Sequence, residues 1–527
     1  MDANNDNNSS QSQSQSQQLE GQDRLSRLTD DNHPLPTERF EGAEASFDFS
    51  LEGNNDSSSS QSQQLEGEDR LSTLTDDILL SILGRVSLHM AVRTAVLSTR
   101  WRHLPWLLPE LSIDVKDFLS VPCPDPIQAN DMEKAMVCLT NATRGFLADG
   151  QRESTICSLN LKLYLINTSL CEVGALVGDA IDSGLLKDFD LAVLDETEPH
   201  NCGDRDMLQR AKEIDGFFSA YPSMLHCLTR LSLHNLGFDK LDMHHVLFDC
   251  CKQLTHLSLS HCDTGVWSVF KIDAPNSKLR VLELVKCRFQ RLEVVCLPKL
   301  EKFCWNTWVS RCVPLNFGFV PSLGELDLSS CAICDQPPFK LSEILHGTTC
   351  IHTLTVDFQG ENLWMQPEMK ELCTYLNKIK KLHVRGIFVE FDLSWMAAFL
   401  AAAPCVEMLH IEVWDHPCDG DDESRELRSF SKRRAPHWEM EFNDSKNWLL
   451  KELEFVGFRS LEQQFTFIRS MLERSPNLQK IILKGDEECD MCQALDVPSK
   501  FPKKEEHEMV VRRIRDGNFL PQVIFCE

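Results

Sequence analysis

Along most of the chain, apolar residues recur in short runs of the form Lxx(L/F/I)x(L/V/I/F/W), an alternation that predicts half-buried strands. The central apolar residues of these runs are Leu231, Leu257, Leu282, Phe303, Leu326, Leu354, Leu382, Leu409, Leu453 and Ile481. They follow one another at 26, 25, 21, 23, 28, 28, 27, 44 and 28 residues. All but one of these gaps fall in the range of leucine-rich repeats. Three weaker runs centre on Leu111, Leu159 and Phe189, and helical stretches such as 367–379 and 461–474 connect several of the runs. One such unit cannot cover its own apolar face. The units must therefore stack, which predicts an α/β solenoid shaped as an irregular, curved horseshoe.

The period changes between 70 and about 106. Ile78, Leu79, Ile82, Leu83 and Val86 fall at i, i+1, i+4, i+5 and i+8, which predicts a helix with one apolar face. Thr75 is placed to cap that helix, and Asp76 and Asp77 sit in its first turn, where negative charge is favoured. A second helical stretch, 90–98, runs into the aromatic-basic cluster TRWRHLPW. Such a segment can act as a cap that shields the first repeat. It can also be a separate module that offers an apolar surface to a partner.

Residues 1–68 are rich in Ser, Gln and Asn and are expected to be disordered, because they have too little apolar surface to bury. The string QLEGQDRLSRLTDD at 18–31 returns at 64–77 as QLEGEDRLSTLTDD, identical at 12 of 14 positions. Only the second copy leads into an amphipathic run. After the first come Pro34 and Pro36, which stop a helix, so that copy is expected to be a duplicated fragment without the fold. The long gap between Leu409 and Leu453 holds a charged stretch at about 415–436, expected to be a mobile loop.

Composition narrows the function. The apolar fraction of 42% is ordinary, but 80 acidic against 53 basic residues give a net charge of -27. That balance argues against a nucleic-acid or anionic-membrane role. The short basic run KRR at 432–434 is expected to be a solvated loop. The most apolar segment, 395–409, is too short to span a bilayer and carries Pro404 and Glu407. The N-terminus lacks the basic and apolar regions of a secretory signal, so an intracellular location is expected, with the 22 cysteines as free thiols.

The candidate chemistry is thin. Cys331/Cys334 and Cys489/Cys492 form CxxC pairs, a spacing that suits zinc. Yet Cys262, Cys287 and Cys331 all hold the ninth position of their repeats, where an inward side chain satisfies the turn. No metal and no cofactor is therefore expected. His244, His245 and the His256/His261 neighbours come without a phosphate loop, HExxH or GxSxG motif, so no catalytic residue is assigned. His256, His383 and His410 fall at outward strand positions and are expected to be exposed on the concave sheet.

The segment DRLSTLTDDILLSILGRVSLHMAVRTAVLSTRWRHLPW closely resembles the F-box of plant F-box proteins, from Asp69 through LxxLxDDIL to LSxRWRxL. The resemblance implies docking on the SKP-type linker subunit of a cullin-RING ubiquitin ligase. The matching positions are Leu71, Leu74, Ile78, Leu79, Ile82, Leu83, Val92, Ala95, Leu97, Ser98, Trp101 and Arg102. Thr75 departs from the family's usual proline, which implies weakened rather than abolished linker binding. Towards the other end, 447–485 is similar to the FBD region that follows the repeats in the same family, with its LKELEFVGF strand, amphipathic helix and SPNLQKIIL strand.

The expected organisation is a disordered segment at 1–68, an F-box at 69–106, a repeat solenoid at 107–446 and an FBD-like region at 447–527 that continues it. The implied function is a non-catalytic adaptor in the nucleus or cytoplasm. Its F-box would reach cullin and RING subunits through the linker, and its repeats would hold a protein target. The third and fifth repeat positions face away from the core, which makes Arg230, His256, Lys302, Glu325, Lys381, His383, His410 and Glu452 the expected target-binding residues. The alternative is a repeat scaffold with a degenerate F-box and no ligase role.

Overall fold

The structure is a computed structural model. It describes residues 73–119, 126–148, 152, 154–197, 201–238, 242–265, 268–308, 310, 312–330, 337–415, 436, 438, 448–486, 498–515 and 521–526. The expectations for 1–68, the duplicated fragment, Leu71, both CxxC pairs, KRR and nearly all of 415–436 lie outside the described residues.

Among the described residues, fourteen strands run parallel in one sheet, each beside its sequence neighbour in that sheet. The order begins with Glu110–Asp114 and ends with Gln522–Cys526. The central apolar residues pair in register: Leu231, Leu257, Leu282, Phe303 and Leu326 form one file across five strands. Leu354, Leu382, Leu409, Leu453 and Ile481 extend it, and Val523 closes it. Leu111, Leu159 and Phe189 align likewise, and an irregularity after Phe189 then brings Leu191 beside Leu231. The repeats at 231 to 481 thus stack as the spacing implied.

From Leu257 onward the described return paths between central residues are of two kinds, and gap length explains the choice. Where the central residues lie 27 or 28 apart, a helix fills the return: Leu341–Leu345, Met369–Leu376, Trp395–Ala402 or Glu462–Arg474. Where they lie 25, 21 and 23 apart, the return is a strand instead: Val269–Asp273, Arg291–Cys296 and Leu315–Phe319. These three form a second parallel sheet. A strand advances about 3.3 Å per residue and a helix about 1.5 Å, so the shorter segments reach the next repeat only when extended.

Inside, the core is continuous, from Leu79 to Ile514. Aromatic rings fill its middle: Trp364 lies 5.0 Å from Trp308 and 5.4 Å from Phe358, and Phe358 lies 6.1 Å from Trp395. The segment Trp395–Ala402 belongs to this core, and no described helix is long and apolar enough to cross a membrane. The residue directly after the strand takes a left-handed conformation in four successive repeats, at Asn235, His261, Lys286 and Thr307 (φ 53°, 52°, 49° and 58°). One residue further on, the Cys262 thiol donates to the carbonyls of Ser260 (3.3 Å) and Leu233 (3.6 Å). Cys287 donates to the Leu259 carbonyl at 3.1 Å. Both are fully buried, and burial pushes the Cys287 thiol up to about 12, so they serve the turn as expected from their position.

At the N-terminal end, helices Asp76–Leu83, Leu88–Arg93 and Thr99–His103 gather around the turn Leu104–Leu107, and Leu88–Arg93 meets the first strand. Leu79, Leu83, Leu88, Ala91, Trp101 and Leu104 point inward and join the core at Leu108 and Leu111. Trp106 meets Phe146 of helix Ala129–Leu147 edge-on at 4.2 Å. Arg100 ties the module together, pairing with Asp76 at 2.6 Å and donating to the Leu74 carbonyl at 2.6 Å. Thr75 stands at the cap position, but its hydroxyl makes no capping hydrogen bond, contrary to expectation. The first turn is instead held by the Thr75 carbonyl, which accepts from Leu79 N, and by the Arg100 pair on Asp76.

Candidate functional site: an apolar module face and a polar concave sheet

The single apolar face expected on helix Asp76–Leu83 divides in two. Leu79 and Leu83 are buried, while Ile78 and Ile82, one residue before each, are 47% and 41% exposed. A step of one residue turns a side chain by about 100° on a helix, so the two pairs cannot share a partner. Val86, Met90, Val96 and Leu97 carry the exposed surface onward, Val96 at 87%. Of the other expected linker contacts, Leu74, Val92 and Ala95 are half-buried, Trp101 is buried and Arg102 is exposed. The module therefore caps the solenoid with one side and leaves an apolar strip on the other.

The concave sheet is built by strand alternation: each central apolar residue points in, and its neighbours point out. Register places the third-position residues in one ladder, Arg230, His256, Val281, Lys302, Glu325, Thr353, Lys381, Met408, Glu452 and Lys480. The fifth positions form a second ladder alongside, Ser258, Glu283, Cys304, Asp327, Thr355, His383, His410 and Glu454.

The two ladders differ in accessibility. Arg230, Glu325 and Lys381 of the first are exposed, and His256, Lys302 and Glu452 are half-buried. In the second, His410 and Glu454 are buried, which corrects the expectation of an exposed His410. Its ring stands 5.3 Å from that of His383 on one side, and its Nδ1 lies 3.2 Å from the Glu454 carboxylate on the other. Lys484 joins the same carboxylate at 2.5 Å. Burial opposes ionisation of Glu454, but Lys484 and His410 outweigh it and hold the carboxyl below its usual range. His383 is pushed down to about 4, by burial and then by His410 and Arg385. Asp327 moves up through burial, opposed by Arg385 and reinforced by Asp357. His256 is half-buried and pairs with Glu283 at 3.2 Å. The second ladder is thus the more buried and the more fully paired, whereas Arg230, Glu325 and Lys381 of the first are exposed.

Where outer strands give way to outer helices, an open groove of about 790 Å³ is lined by Arg291, Lys340, Glu371 and Tyr375, among others. Its charges pair locally, Lys340 with Glu371 at 3.8 Å and Arg291 with Glu293 at 3.5 Å. Among the described residues, no group of three or more His, Cys, Asp or Glu could hold a metal ion. Sequence reasoning missed one cluster, at His245, Asp249 and Cys250.

The profile of a plant family described as At1g61320/AtMIF1, LRR domain, matches residues 219–513, more than half of the chain. No curated protein matches the chain. A leucine-rich-repeat domain of this kind suggests protein–protein interaction. The matched stretch carries the concave ladders from Arg230 onward, and the chain belongs to this leucine-rich-repeat family.

Proposed function

We propose that the protein is the substrate-recognition adaptor of a cullin-RING ubiquitin ligase. The N-terminal module acts as an F-box on an SKP-type linker, which brings cullin and RING subunits, and the repeats hold a protein target. The C-terminal strands act as an FBD-like extension of the repeats. The adaptor is non-catalytic, works in the nucleus or cytoplasm, and contributes proximity and orientation while its partners carry out the covalent chemistry. One observation carries the reading. The outer face of a module that resembles an F-box keeps Ile78, Ile82, Met90, Val96 and Leu97 in solvent although its inner face is fully packed. Mixed charge along the outward ladder, from Arg230 to Glu452, supports a protein target rather than a nucleic acid.

The test is capture of a purified SKP-type linker by the full chain, beside a double variant Ile82→Glu, Leu97→Glu. Both positions are exposed, so the variant should keep the wild-type melting temperature and lose at least about tenfold in linker affinity. A wild type that fails to bind where a standard F-box binds would overturn the adaptor reading and favour the scaffold. A folded double variant that binds as tightly as wild type would show that this surface is the wrong one.

A further inference from the structure

The return segment between strands Leu228–His234 and His256–Ser260 is a turn of π-helix, His245–Cys250. Its i→i+5 bond runs from Cys251 N to the Val246 carbonyl at 3.2 Å, and the Asp242 carboxylate caps its start by accepting from His245 N at 3.0 Å. The wider turn has a chemical consequence. On an α-helix, residues five apart diverge by about 140°, whereas a π-turn brings them onto one side. Accordingly His245 Nε2 lies 3.5 Å from Cys250 Sγ, and His245 Nδ1 lies 3.1 Å from Asp249 Oδ2. With Nδ1–H donating to the carboxylate, Nε2 is left as the acceptor for the thiol proton. Nucleophile, base and orienting carboxylate stand in sequence on six residues.

The neighbours sharpen this assignment. His244 is occupied structurally: its Nε2 accepts from Asp273 N at 3.1 Å, and its ring packs 5.1 Å from Phe248. Cys251 is buried and its thiol is pushed up to about 12, by burial and by Cys250. Of the two cysteines, Cys251 is buried and Cys250 is half-buried at the edge of the core; of the two histidines, His245 is the exposed one. The His245 and Asp249 side chains are each 60% exposed, so solvent reaches the base and its carboxylate, with the half-buried Cys250 thiol directly beside them.

We propose that Cys250 is a modification site, activated by His245 and Asp249, that takes up low-molecular-weight disulfides by thiol–disulfide exchange. Cys250 gives its proton to His245 Nε2, and its sulfur attacks one sulfur of the disulfide. One S–S bond forms as the other breaks, and the departing thiolate recovers the proton from the imidazolium that Asp249 stabilises. Cys250 is oxidised to the mixed disulfide and half of the reagent is reduced to thiol, with no other oxidant.

Exposed Cys157 and Cys171 in the same chain are the internal references. The full chain is pulsed with oxidised glutathione at pH 7, and each cysteine is quantified by peptide mass mapping. Cys250 should be modified about tenfold faster than the references, because His245 stands ready to take the thiol proton as the sulfur attacks. His245→Asn should bring Cys250 down to the reference rate. Unchanged Cys157 and Cys171 rates in that sample report an intact fold; if they rise, Asp249→Asn takes its place, with a partial loss expected. Equal rates at Cys250 and the references, or a Cys250 rate indifferent to both variants, would overturn the proposal.

Discussion

On the N-terminal module, Ile82, Met90, Val96 and Leu97 stand in solvent; on the concave sheet, the polar His410 and Glu454 are buried. The two surfaces invert the usual distribution, and for different reasons. The sheet buries polar groups because adjacent strands hold complementary partners: His410 finds Glu454, and Glu454 finds Lys484. The module exposes apolar groups although Leu79, Leu83 and Trp101 already supply its core. Internal satisfaction thus accounts for the first oddity and leaves the second open, and the proposed linker docking is one answer to it. The largest effect tests that division. Trp101→Ala should cost about 3–5 kcal/mol and release the helices between 76 and 107, whereas Ile82→Glu should change stability by less than about 0.5 kcal/mol. Hydrogen exchange would show lost protection there with the strands beyond 228 unaffected. Comparable destabilisation by both substitutions would mean that the outer strip is part of the core.

The sheet side of the comparison is sharpened by pH. Burial pushes His261 down to about 3 and His383 down to about 4, so both resist protonation when folded. An unfolded histidine titrates near 6.5. The stability they carry is therefore complete above that value and is lost as pH falls towards their folded values. Between pH 6.5 and 5, above the usual carboxylate range, urea midpoints should fall with acidity. At about 1.4 kcal/mol per pH unit for each histidine, the combined loss down to about pH 4 is at most about 6 kcal/mol, and solvent screening at the half-buried His383 reduces its share. His383→Asn should flatten that slope, and a slope unchanged by the substitution would place the acid sensitivity elsewhere.

What the sequence made legible follows the same physics. A strand has one period and one inward side, so Leu231 to Ile481 could be aligned by counting, and they pair as counted. The outer strands at 269–273, 291–296 and 315–319 were not foreseen, although gaps of 25, 21 and 23 residues held the signal that a helical return was too short. The last strand, Gln522–Cys526, lies far beyond Ile481 and outside any regular spacing. For the sites, counting could show which way a residue faces but not what covers it. The burial of His410 depends on side chains from two neighbouring strands. The approach of His245 to Cys250 was beyond helical-wheel reasoning, because five residues apart are neighbours only once the turn has widened.

Thr75 offers the smallest and most discriminating adjustment to the module. Its φ of −72° already matches the −65° or so that a proline ring imposes, and its hydroxyl makes no capping bond that substitution would remove. Its carbonyl, which accepts from Leu79 N, is retained in proline. Thr75→Pro should therefore stabilise the first turn by about 0.4–1 kcal/mol by restricting the unfolded chain, and raise the local melting temperature accordingly. The proline ring also disfavours the helical region for the residue before it, here Leu74, whose carbonyl accepts from Arg100. A loss of stability would place Leu74 in that region, or show that the Thr75 N–H is engaged. Because Ile78 and Ile82 follow on the same helix, a firmer first turn should tighten linker capture by a similar free energy. A stabilised module with unchanged capture would separate folding of the helix from use of its outer face.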